Sequence, residues 1–429
     1  MLNALVELPR RGLACPLIGK AIGLVVGLVA GPMAALPAAG QTSAVPAAAV
    51  QAATAQAAAV VPLAERVKGS IPECIGFLVG GQEGGEGDAR AEWPYEGVYR
   101  VRGQIPIGYR IGGTSIVCVA LLRAPGYAAD EARKGAVVRS LKFVTKSLHD
   151  PLMNPDYEGG YDVRGWGYTY ALNFLLAMKS TGAVDGLPED LKPTVDEHIR
   201  WCIDAIQQTE INEAGGWNYA RAPGKKTVCP TSPFMTGPTL QALFEARSQG
   251  FAVEAAVVDR ALKALERARA WSGSVAYAGD AKEKRPEKVP GSVGRMLAAE
   301  IALYLAGRSD VARIRGALDS FLVHWEWLDQ RRAKNGTHEG PYGIAPYYFY
   351  YAHGQAAQAI ELLPRDDRAE YRRRLYERLF SVKLENGTWN DRVFPRTASY
   401  GTSQALMVML APELPEPARW VADGVKSEK

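Results

Sequence analysis

Residues 386–389, Asn-Gly-Thr-Trp, followed by residues 398–406, Ala-Ser-Tyr-Gly-Thr-Ser-Gln-Ala-Leu, give the clearest copy of a unit that repeats along this chain. The unit consists of an amphipathic helical stretch, a Gly-rich link that ends in an aromatic residue, and a helical stretch that begins with small residues. It recurs about every 50 to 65 residues, a period typical of helical-repeat proteins. Because one helix pair cannot bury its apolar face alone, we expect the units to stack around a shared core.

Two kinds of helix alternate in these units. The first kind carries apolar residues at three- and four-residue steps, as in Val195, Ile199 and Cys202, with charged residues between them, which predicts one solvated face. The second kind is apolar nearly all round and rich in Ala, Gly, Ser and Thr, which predicts burial and close approach by neighbouring helices. We therefore predict an all-α fold, an (α/α)6-type double ring of about six hairpins, with the links between outer and inner helices gathered at one rim.

The N-terminal segment of this 429-residue chain predicts export. Arg10, Arg11 and Lys20 precede an apolar stretch, residues 21–30, and small residues follow, which is the pattern of a cleaved signal peptide. The mature protein is then expected in the periplasm or cell envelope. An uncleaved membrane anchor is the alternative, although the apolar run is shorter than the roughly 20 residues that span a bilayer. The predicted segments are a signal peptide over residues 1–40, an Ala/Pro-rich flexible tether over 41–62, the repeat domain over 63–415 and a C-terminal tail over 416–429.

Charge and cysteine content narrow the possible classes of function. The formal net charge is +4, with both signs interspersed along the chain, so we expect no nucleic-acid partner. Of the five cysteines, Cys15 lies in the predicted signal peptide. An oxidising compartment would allow the other four to form two disulfides, Cys74 with Cys118 and Cys202 with Cys229. Four small buried thiols are the alternative.

The repeat resembles the QW-type repeats of the terpene cyclase and protein prenyltransferase superfamily. The resemblance rests on residues 386–389 and 398–406, and on a second copy formed by residues 213–219 (Glu-Ala-Gly-Gly-Trp-Asn-Tyr) and 239–243 (Thr-Leu-Gln-Ala-Leu). The resemblance covers roughly residues 64–412. This region is similar to squalene-hopene cyclases and their non-cyclase relatives in bacteria. The resemblance implies an (α/α) toroid with a central cavity lined by the inner helices.

The chain departs from these families at the residues that carry their chemistry. Squalene-hopene cyclases protonate a polyene with an Asp-x-Asp-Asp motif, which is absent here, and we expect the paired Asp366 and Asp367 in a polar turn between helices. Zinc prenyltransferases use Asp-x-Cys and a distant His, whereas residues 202–204 read Cys-Ile-Asp. No two histidines show the spacing of metal ligands. We therefore predict no metal, no cofactor, and neither standard cyclase nor zinc prenyltransferase chemistry.

Aromatic residues in and after the links are the candidate ligand-binding residues. The densest stretch, residues 339–353, places five tyrosines and a phenylalanine at the entry to an inner helix. Aromatic walls suit apolar or carbocation-like ligands and also stack on sugar rings. Large residues that only fill a wide barrel are the alternative, and the repeat itself predicts packing roles for Trp217 and Trp389. The predicted ligand-binding residues are Tyr161, Trp166, Tyr168, Trp217, Tyr342, Tyr347, Tyr348, His353 and Trp389.

Four ionisable residues in the links are the candidate catalytic groups: Asp162, His338, Glu339 and Asp391. If the links meet at one rim, these residues would supply acids and a base that converge across the cavity. Paired carboxylates of unequal pKa are what glycosidic bond cleavage needs. The alternative is that the carboxylates cap the N-termini of the inner helices. Ser and Cys nucleophile motifs are absent, so a hydrolase of the triad type has no support.

These observations favour an exported toroid whose aromatic-lined cavity binds an elongated apolar ligand, an isoprenoid or another lipid. Membrane association would come through that ligand or through an uncleaved N-terminus. Whether the protein is an enzyme stays open, and a cyclase with Asp162 or Glu339 as proton donor is one variant. A carbohydrate-active enzyme that uses rim carboxylates on a glycan is a second class, and a non-catalytic envelope scaffold is a third.

Overall fold

Twelve α-helices form the regular structure of the described part of the chain. The computed structural model describes residues 61–84, 89–157, 163–211, 213–219 and 229–421. The helices are α1 (Leu63–Gly80), α2 (Ile107–Arg123), α3 (Glu131–Leu148), α4 (Arg164–Ser180), α5 (Lys192–Gln208), α6 (Pro233–Ser248), α7 (Ala255–Ala268), α8 (Val293–Leu305), α9 (Val311–Asp329), α10 (Tyr348–Glu361), α11 (Arg365–Ser381) and α12 (Ala398–Leu410).

The even-numbered helices form a closed inner ring. Each packs on the next even-numbered helix, and α12 packs on α2, which closes the circle. The odd-numbered helices lie outside: α1 packs on α12, α3 on α2, α5 on α4, α7 on α6 and α8, α9 on α8 and α10, and α11 on α10. The prediction of an all-α double ring of six hairpins is confirmed.

Residue composition separates the two rings. Outer helix α7 buries Val258, Leu262 and Leu265 on one face and leaves Lys263 exposed. Inner helix α12 is buried on nearly every side. Small residues let inner helices approach closely. A Cβ on Gly167 of α4 would lie only 3.2 Å from the Cα of Gly108 in α2. The outer helices are therefore distinguished by one solvated face, and the inner helices by small residues that allow close packing.

A tryptophan in three of the links joins the two rings. Its indole N–H donates to a carbonyl near the end of the outer helix at 2.7 to 2.8 Å. Its backbone N–H donates to a threonine hydroxyl on the following inner helix at 2.9 to 3.2 Å. The three sets are Trp93 with Leu78 and Thr114, Trp217 with Ile206 and Thr236, and Trp389 with Leu379 and Thr402. All three indoles are buried, so these tryptophans are packing anchors between the rings.

The links between outer and inner helices meet at the end where the inner helices begin, here called the N-terminal rim. The first and last links touch through Tyr95 and Asp391. The links before α6 and α10 touch through Tyr219 and Tyr347, whose hydroxyl oxygens lie 3.5 Å apart. The link before α8 also contacts the link before α10. The prediction that the links gather at one rim is therefore confirmed.

The segment after α12 crosses the opposite end of the ring, where the inner helices end. Trp420 packs on Phe244 of α6, with ring centroids 5.5 Å apart. Its backbone N–H donates to the carbonyl of Leu305, the last residue of α8, at 3.0 Å. Because α6 stands opposite α12 in the inner ring, the segment spans that end. The predicted tail is thus packed as far as Trp420, and residues 422–429 lie outside the described residues.

The N-terminal predictions fall mostly outside the described residues. The predicted signal peptide (1–40) and nearly all of the predicted tether (41–62) precede residue 61, and α1 begins at Leu63. The chain from residue 61 onward forms one compact unit. Among the described helices, none has both the length and the apolar character needed to cross a membrane.

The cysteines of the described residues are all free. Cys74, Cys118, Cys202 and Cys229 are buried thiols, so the structure contains neither of the predicted disulfides. Burial raises the pKa of Cys74 and of Cys118 to about 12. A protonated thiol in apolar surroundings behaves as a small hydrophobic side chain, which explains how these residues are accommodated in the packing between helices.

Candidate functional site

Asp391 is a fully buried carboxyl group in the last link, between α11 and α12. Its Oδ2 accepts a hydrogen bond from the hydroxyl of Tyr95 in the first link, at 3.2 Å. Its Oδ1 has no hydrogen-bond partner among the described residues. A buried polar atom without a partner costs free energy, so packing alone does not explain a carboxyl group at this position.

The surroundings of Asp391 shift the pKa of its carboxyl group towards neutral pH. Burial raises the pKa of the carboxyl to about 7, although the nearby Arg392 guanidinium acts in the opposite direction. Arg392 donates from Nε to the Tyr95 hydroxyl oxygen at 3.2 Å and from Nη1 to the carbonyl of Gly336 at 2.9 Å. The Tyr95 hydroxyl therefore accepts from Arg392 and donates to Asp391. A carboxyl group with this pKa can give and take a proton near neutral pH.

The local backbone around Asp391 is fixed by the preceding residue, Asn390. The Oδ1 of Asn390 accepts from the backbone N–H of Arg392 at 2.9 Å and from the hydroxyl of Thr397 at 2.7 Å. An Asn side chain that bonds the backbone two residues on forms an Asx turn. With Trp389 anchored between the rings immediately before it, this turn leaves Asp391 little freedom.

Aromatic rings surround Tyr95 at the N-terminal rim. The centroid of its ring lies 4.8 Å from that of Tyr400 and 5.4 Å from that of Tyr109. The ring of Trp166 lies 5.8 Å from Tyr95 and 4.9 Å from Tyr170. These five residues, here called the Tyr95 cluster, come from the first link and from the adjacent inner helices α12, α2 and α4. Such ring faces pack apolar chains and attract cations.

A second group of rings surrounds His338. Its Nε2 lies 3.0 Å from the hydroxyl oxygen of Tyr348 and 3.2 Å from that of Tyr347. Burial, together with the positive charge of Arg295, lowers the pKa of His338, so the neutral imidazole is the form present at neutral pH. The Arg392 guanidinium lies 5.7 Å from the centroid of the Tyr347 ring, which joins this group to the Tyr95 cluster.

The four predicted catalytic residues do not converge. Asp391 and His338 lie at the N-terminal rim, in the two groups just described. Glu339 is exposed and forms an ion pair with Arg331 at 2.7 Å, and Asp162 lies outside the described residues. The capping alternative is not observed either, because none of the six inner helices has a side-chain hydrogen bond at its N-cap within the described residues.

The predicted ligand-binding residues separate into distinct positions. Trp166, Tyr347 and Tyr348 lie at the N-terminal rim. Tyr342 packs against the ring of Trp327 at 4.8 Å, towards the outer helix α9. Tyr161 lies outside the described residues. Four further residues occupy the space between the two rings: Tyr168, Trp217, His353 and Trp389.

The four residues between the rings are used in packing and hydrogen bonding. Trp217 and Trp389 are the anchors described above. The Tyr168 hydroxyl donates to the carbonyl of Met153. The Nε2 of His353 accepts from the indole of Trp325 on α9 at 2.9 Å, and burial lowers the pKa of His353 to about 4. The structure therefore places these side chains towards the outer helices, rather than at the rim where a ligand would enter.

The position two residues after each anchoring tryptophan faces the N-terminal rim. Trp93, Trp217 and Trp389 are followed at this position by Tyr95, Tyr219 and Asp391. Sequence reasoning missed Tyr95 and Tyr219 because it favoured the tryptophans themselves. The signal was present in the repeat, because the same position after each anchoring tryptophan carries a tyrosine or an aspartate. No comparable signal indicated the contributions of Tyr109, Tyr400 and Arg392.

Solved structures show the same arrangement of helices. MstE, a type II terpene cyclase from Scytonema, seen in complex with geranylgeranyl dihydroxybenzoate, matches with 13% identity and a TM-score of 0.50 over 83% of this chain and 100% of its own. The unsaturated glucuronyl hydrolase of a Bacillus species matches with 12% identity and a TM-score of 0.52 over 84% and 100%. An inactive α-1,6-mannanase variant from Salegentibacter with bound α-1,6-mannotriose matches with 12% identity and a TM-score of 0.50 over 80% and 99%. This chain has the α/α-toroid fold.

The toroid agrees with the fold that the QW-type repeats imply. At identities of 12 to 13% the likeness concerns the fold alone. No protein-family profile matches the chain, and no curated protein matches its sequence. Because toroids of one architecture host unrelated chemistries, the activity of this toroid has to be argued from its own residues.

Proposed function

We propose that this toroid binds an isoprenoid chain at its N-terminal rim and that Asp391 protonates the chain there. The observation that carries the proposal is the fully buried Asp391, with one oxygen unpartnered among the described residues, next to the Tyr95 cluster. A carboxylic acid with a pKa near 7 is available as a proton donor at neutral pH. The aromatic faces beside it supply the quadrupole attraction that stabilises a carbocation.

The proposed step is the protonation of a carbon–carbon double bond. The O–H bond of Asp391 breaks, the π electrons of the alkene form a new C–H bond, and the adjacent carbon becomes a cation. The carboxylate left behind accepts the hydrogen bond of Tyr95, with the positive charge of Arg392 on the far side of that hydroxyl. Loss of a proton from the final cation balances the reaction, so the substrate is isomerised or cyclised without a change in mass.

The proposed acid differs from that of squalene-hopene cyclases in its sequence context. It stands in residues 390–392, Asn-Asp-Arg, and not in an Asp-x-Asp-Asp motif. Its environment is supplied by Tyr95 and Arg392, which a search for the motif would not consider. MstE, a toroid of similar fold, is seen with a geranylgeranyl compound, which makes linear isoprenoids the first ligands to test.

The experiment is an incubation of the purified protein with squalene and, separately, geranylgeraniol, followed by gas chromatography with mass detection. We expect a product of unchanged mass and altered retention time. Asp391→Asn should abolish its formation, because the amide cannot donate an acidic proton. Asp366→Asn is the matched control, since Asp366 is exposed in the first turn of α11, and it should convert the substrate at the wild-type rate.

Two outcomes would contradict the proposal. Conversion that persists in Asp391→Asn would remove Asp391 as the acid. Cleavage of α-1,6-mannotriose by a protein that binds no isoprenoid would support the glycan-active alternative. The mannanase and the glucuronyl hydrolase, two toroids of similar fold, suggest glycans as the ligands for that test. In that case Asp391 would need a second carboxylate as its partner.

We also propose that the toroid is exported. The support is the basic segment with Arg10, Arg11 and Lys20, followed by the apolar residues 21–30 and a run of small residues. Expression of the full chain in a bacterial host, fractionation and N-terminal sequencing should give a periplasmic or envelope-bound protein that begins near residue 41. Unprocessed protein confined to the cytoplasm would contradict export.

A further inference from the structure

Two histidines of neighbouring outer hairpins lie next to each other on the outer side of the toroid. His149 is the C-cap residue of α3, and His198 lies within α5, the next outer helix along the chain. Their Nε2 atoms are 3.1 Å apart although 49 residues separate them in sequence. His149 is exposed and His198 is buried, so the pair lies at the surface with one fixed and one accessible member.

The hydrogen bonds of His198 orient its ring for an incoming ligand. Its Nδ1 lies 2.8 Å from the carbonyl oxygen of Thr194. Since a carbonyl oxygen can only accept, Nδ1 carries the hydrogen, and the Nε2 of neutral His198 presents a lone pair towards His149. Trp201 packs edge-on against His149 with ring centroids 5.5 Å apart, which limits the positions that the exposed imidazole can take.

We infer that His149 and His198 form a bidentate site for a divalent transition-metal ion of the imidazole-preferring kind, such as Zn²⁺, Ni²⁺ or Cu²⁺. With metal–nitrogen distances of about 2.0–2.1 Å, two neighbouring ligands of a tetrahedral or square-planar ion lie roughly 2.9 to 3.4 Å apart. The observed 3.1 Å separation falls within this range. The bond from His198 Nδ1 to a backbone carbonyl is also the one that metal-binding histidines usually make.

A metal ion can replace the hydrogen between the two Nε2 atoms without leaving either imidazole charged. In the metal-free pair the hydrogen between the two Nε2 atoms belongs to His149, because His198 already carries its hydrogen on Nδ1. Metal binding removes that hydrogen from Nε2 of His149, and Nδ1 of the same exposed ring takes one up from water, so the imidazole stays neutral. Within the described residues no group of three His, Cys, Asp or Glu side chains is arranged to hold a metal, so water completes the coordination.

A metal ion bound by this pair would also stabilise the fold. A metal ion held by both residues would link α3 to α5, two outer helices that belong to successive hairpins. A ligand that binds only the folded state raises the temperature of unfolding. Binding of the ion is therefore expected to stabilise the toroid as well as to occupy its outer wall.

The test is a titration of the untagged, metal-free protein with Zn²⁺ by calorimetry, and with Cu²⁺ by quenching of tryptophan fluorescence. We expect saturable binding of one ion per chain at micromolar concentration, with part of the quenching lost in Trp201→Phe. His149→Ala should weaken Zn²⁺ binding at least tenfold and abolish the metal-dependent rise in melting temperature. Since His149 is exposed, this variant should remain folded without metal.

The control is His324→Ala, which removes a histidine of α9 that is not part of the pair and should bind Zn²⁺ as the wild type does. His198→Ala should weaken binding to the same extent as His149→Ala, and if its buried site prevents folding, His149→Ala decides alone. The inference is overturned if the wild-type protein shows no saturable Zn²⁺ or Cu²⁺ binding, or if His149→Ala binds both ions as tightly as the wild type. In that case the two imidazoles form only a hydrogen bond.

Discussion

The hydroxyl of Tyr95 and Oδ2 of Asp391 lie 3.2 Å apart, although 296 residues separate them in the sequence. They belong to the first and last links of the ring and meet only because α12 closes on α2. The candidate site is therefore a product of ring closure. A fragment that lacked the first or the last hairpin would lose one of these two side chains and, with it, the contact.

Asp391 should make stability depend on pH. Its pKa is raised from 3.8 to about 7 by burial, so between these pH values the folded protein keeps a proton that the unfolded chain has released. The free energy of unfolding should fall as pH rises through this range, by up to about 4 kcal/mol. Urea unfolding of wild type and Asp391→Asn at pH 5 and pH 8 measures the part of this fall that lies above pH 5, about 3 kcal/mol. An equal loss in both proteins would show that Asp391 does not cause it.

Trp389 should be a large contributor to stability. Its buried indole packs between α11 and α12 and donates to the carbonyl of Leu379 near the end of α11, so Trp389→Ala leaves a cavity and removes this hydrogen bond. We expect a loss of about 3 to 5 kcal/mol in the free energy of unfolding. Trp271→Ala is the control, since Trp271 is 84% exposed, and its effect should stay within about 0.5 kcal/mol. A change below about 1 kcal/mol in Trp389→Ala would exclude the anchor role.

Gly113 should not tolerate a side chain. A Cβ at this position of α2 would lie 2.6 Å from the carbonyl oxygen of Trp93, so Gly113→Ala must push the first link away from the helix. We expect a destabilisation of about 1 to 3 kcal/mol. In Gly316→Ala, on outer helix α9, the new Cβ meets nothing within 4 Å, and the gain in helix propensity should stabilise by about 0.5–1 kcal/mol. Thermal unfolding of both variants gives the comparison, and equal effects would contradict it.

Trp420 should hold the C-terminal segment across the end of the ring. Trp420→Ala removes the contact with Phe244 and the stacking of the Arg247 guanidinium, which lies 4.6 Å from the indole centroid. We expect faster proteolysis of the segment and a loss of about 1 to 3 kcal/mol in stability. Glu416→Ala, at an exposed position of the same segment, should show neither effect. Proteolysis at the wild-type rate in Trp420→Ala would mean that other contacts hold the segment.

What the sequence determined by itself was local. The three- and four-residue apolar steps of α5 and the small residues of α12 predicted outer and inner helices, and the recurrence of the unit predicted their number. Trp217 and Trp389 were predicted as anchors from the repeat, and their hydrogen-bond partners all lie within 19 residues of them along the chain. Such features depend on chemistry that each stretch of chain carries with it, so the order of the stretches in space is not needed to recognise them.

The tertiary structure decided which distant residues meet. Closure of the ring brought Asp391 to Tyr95, and the stacking of successive hairpins brought His149 to His198, contacts that no spacing in the sequence indicates. It also separated residues that the sequence had grouped, since Glu339 pairs with Arg331 at the surface while its neighbour His338 joins the tyrosines of the rim. The pKa of a carboxyl group and the partners of a side chain depend on burial and on charges from other helices, and these exist only after the chain has folded.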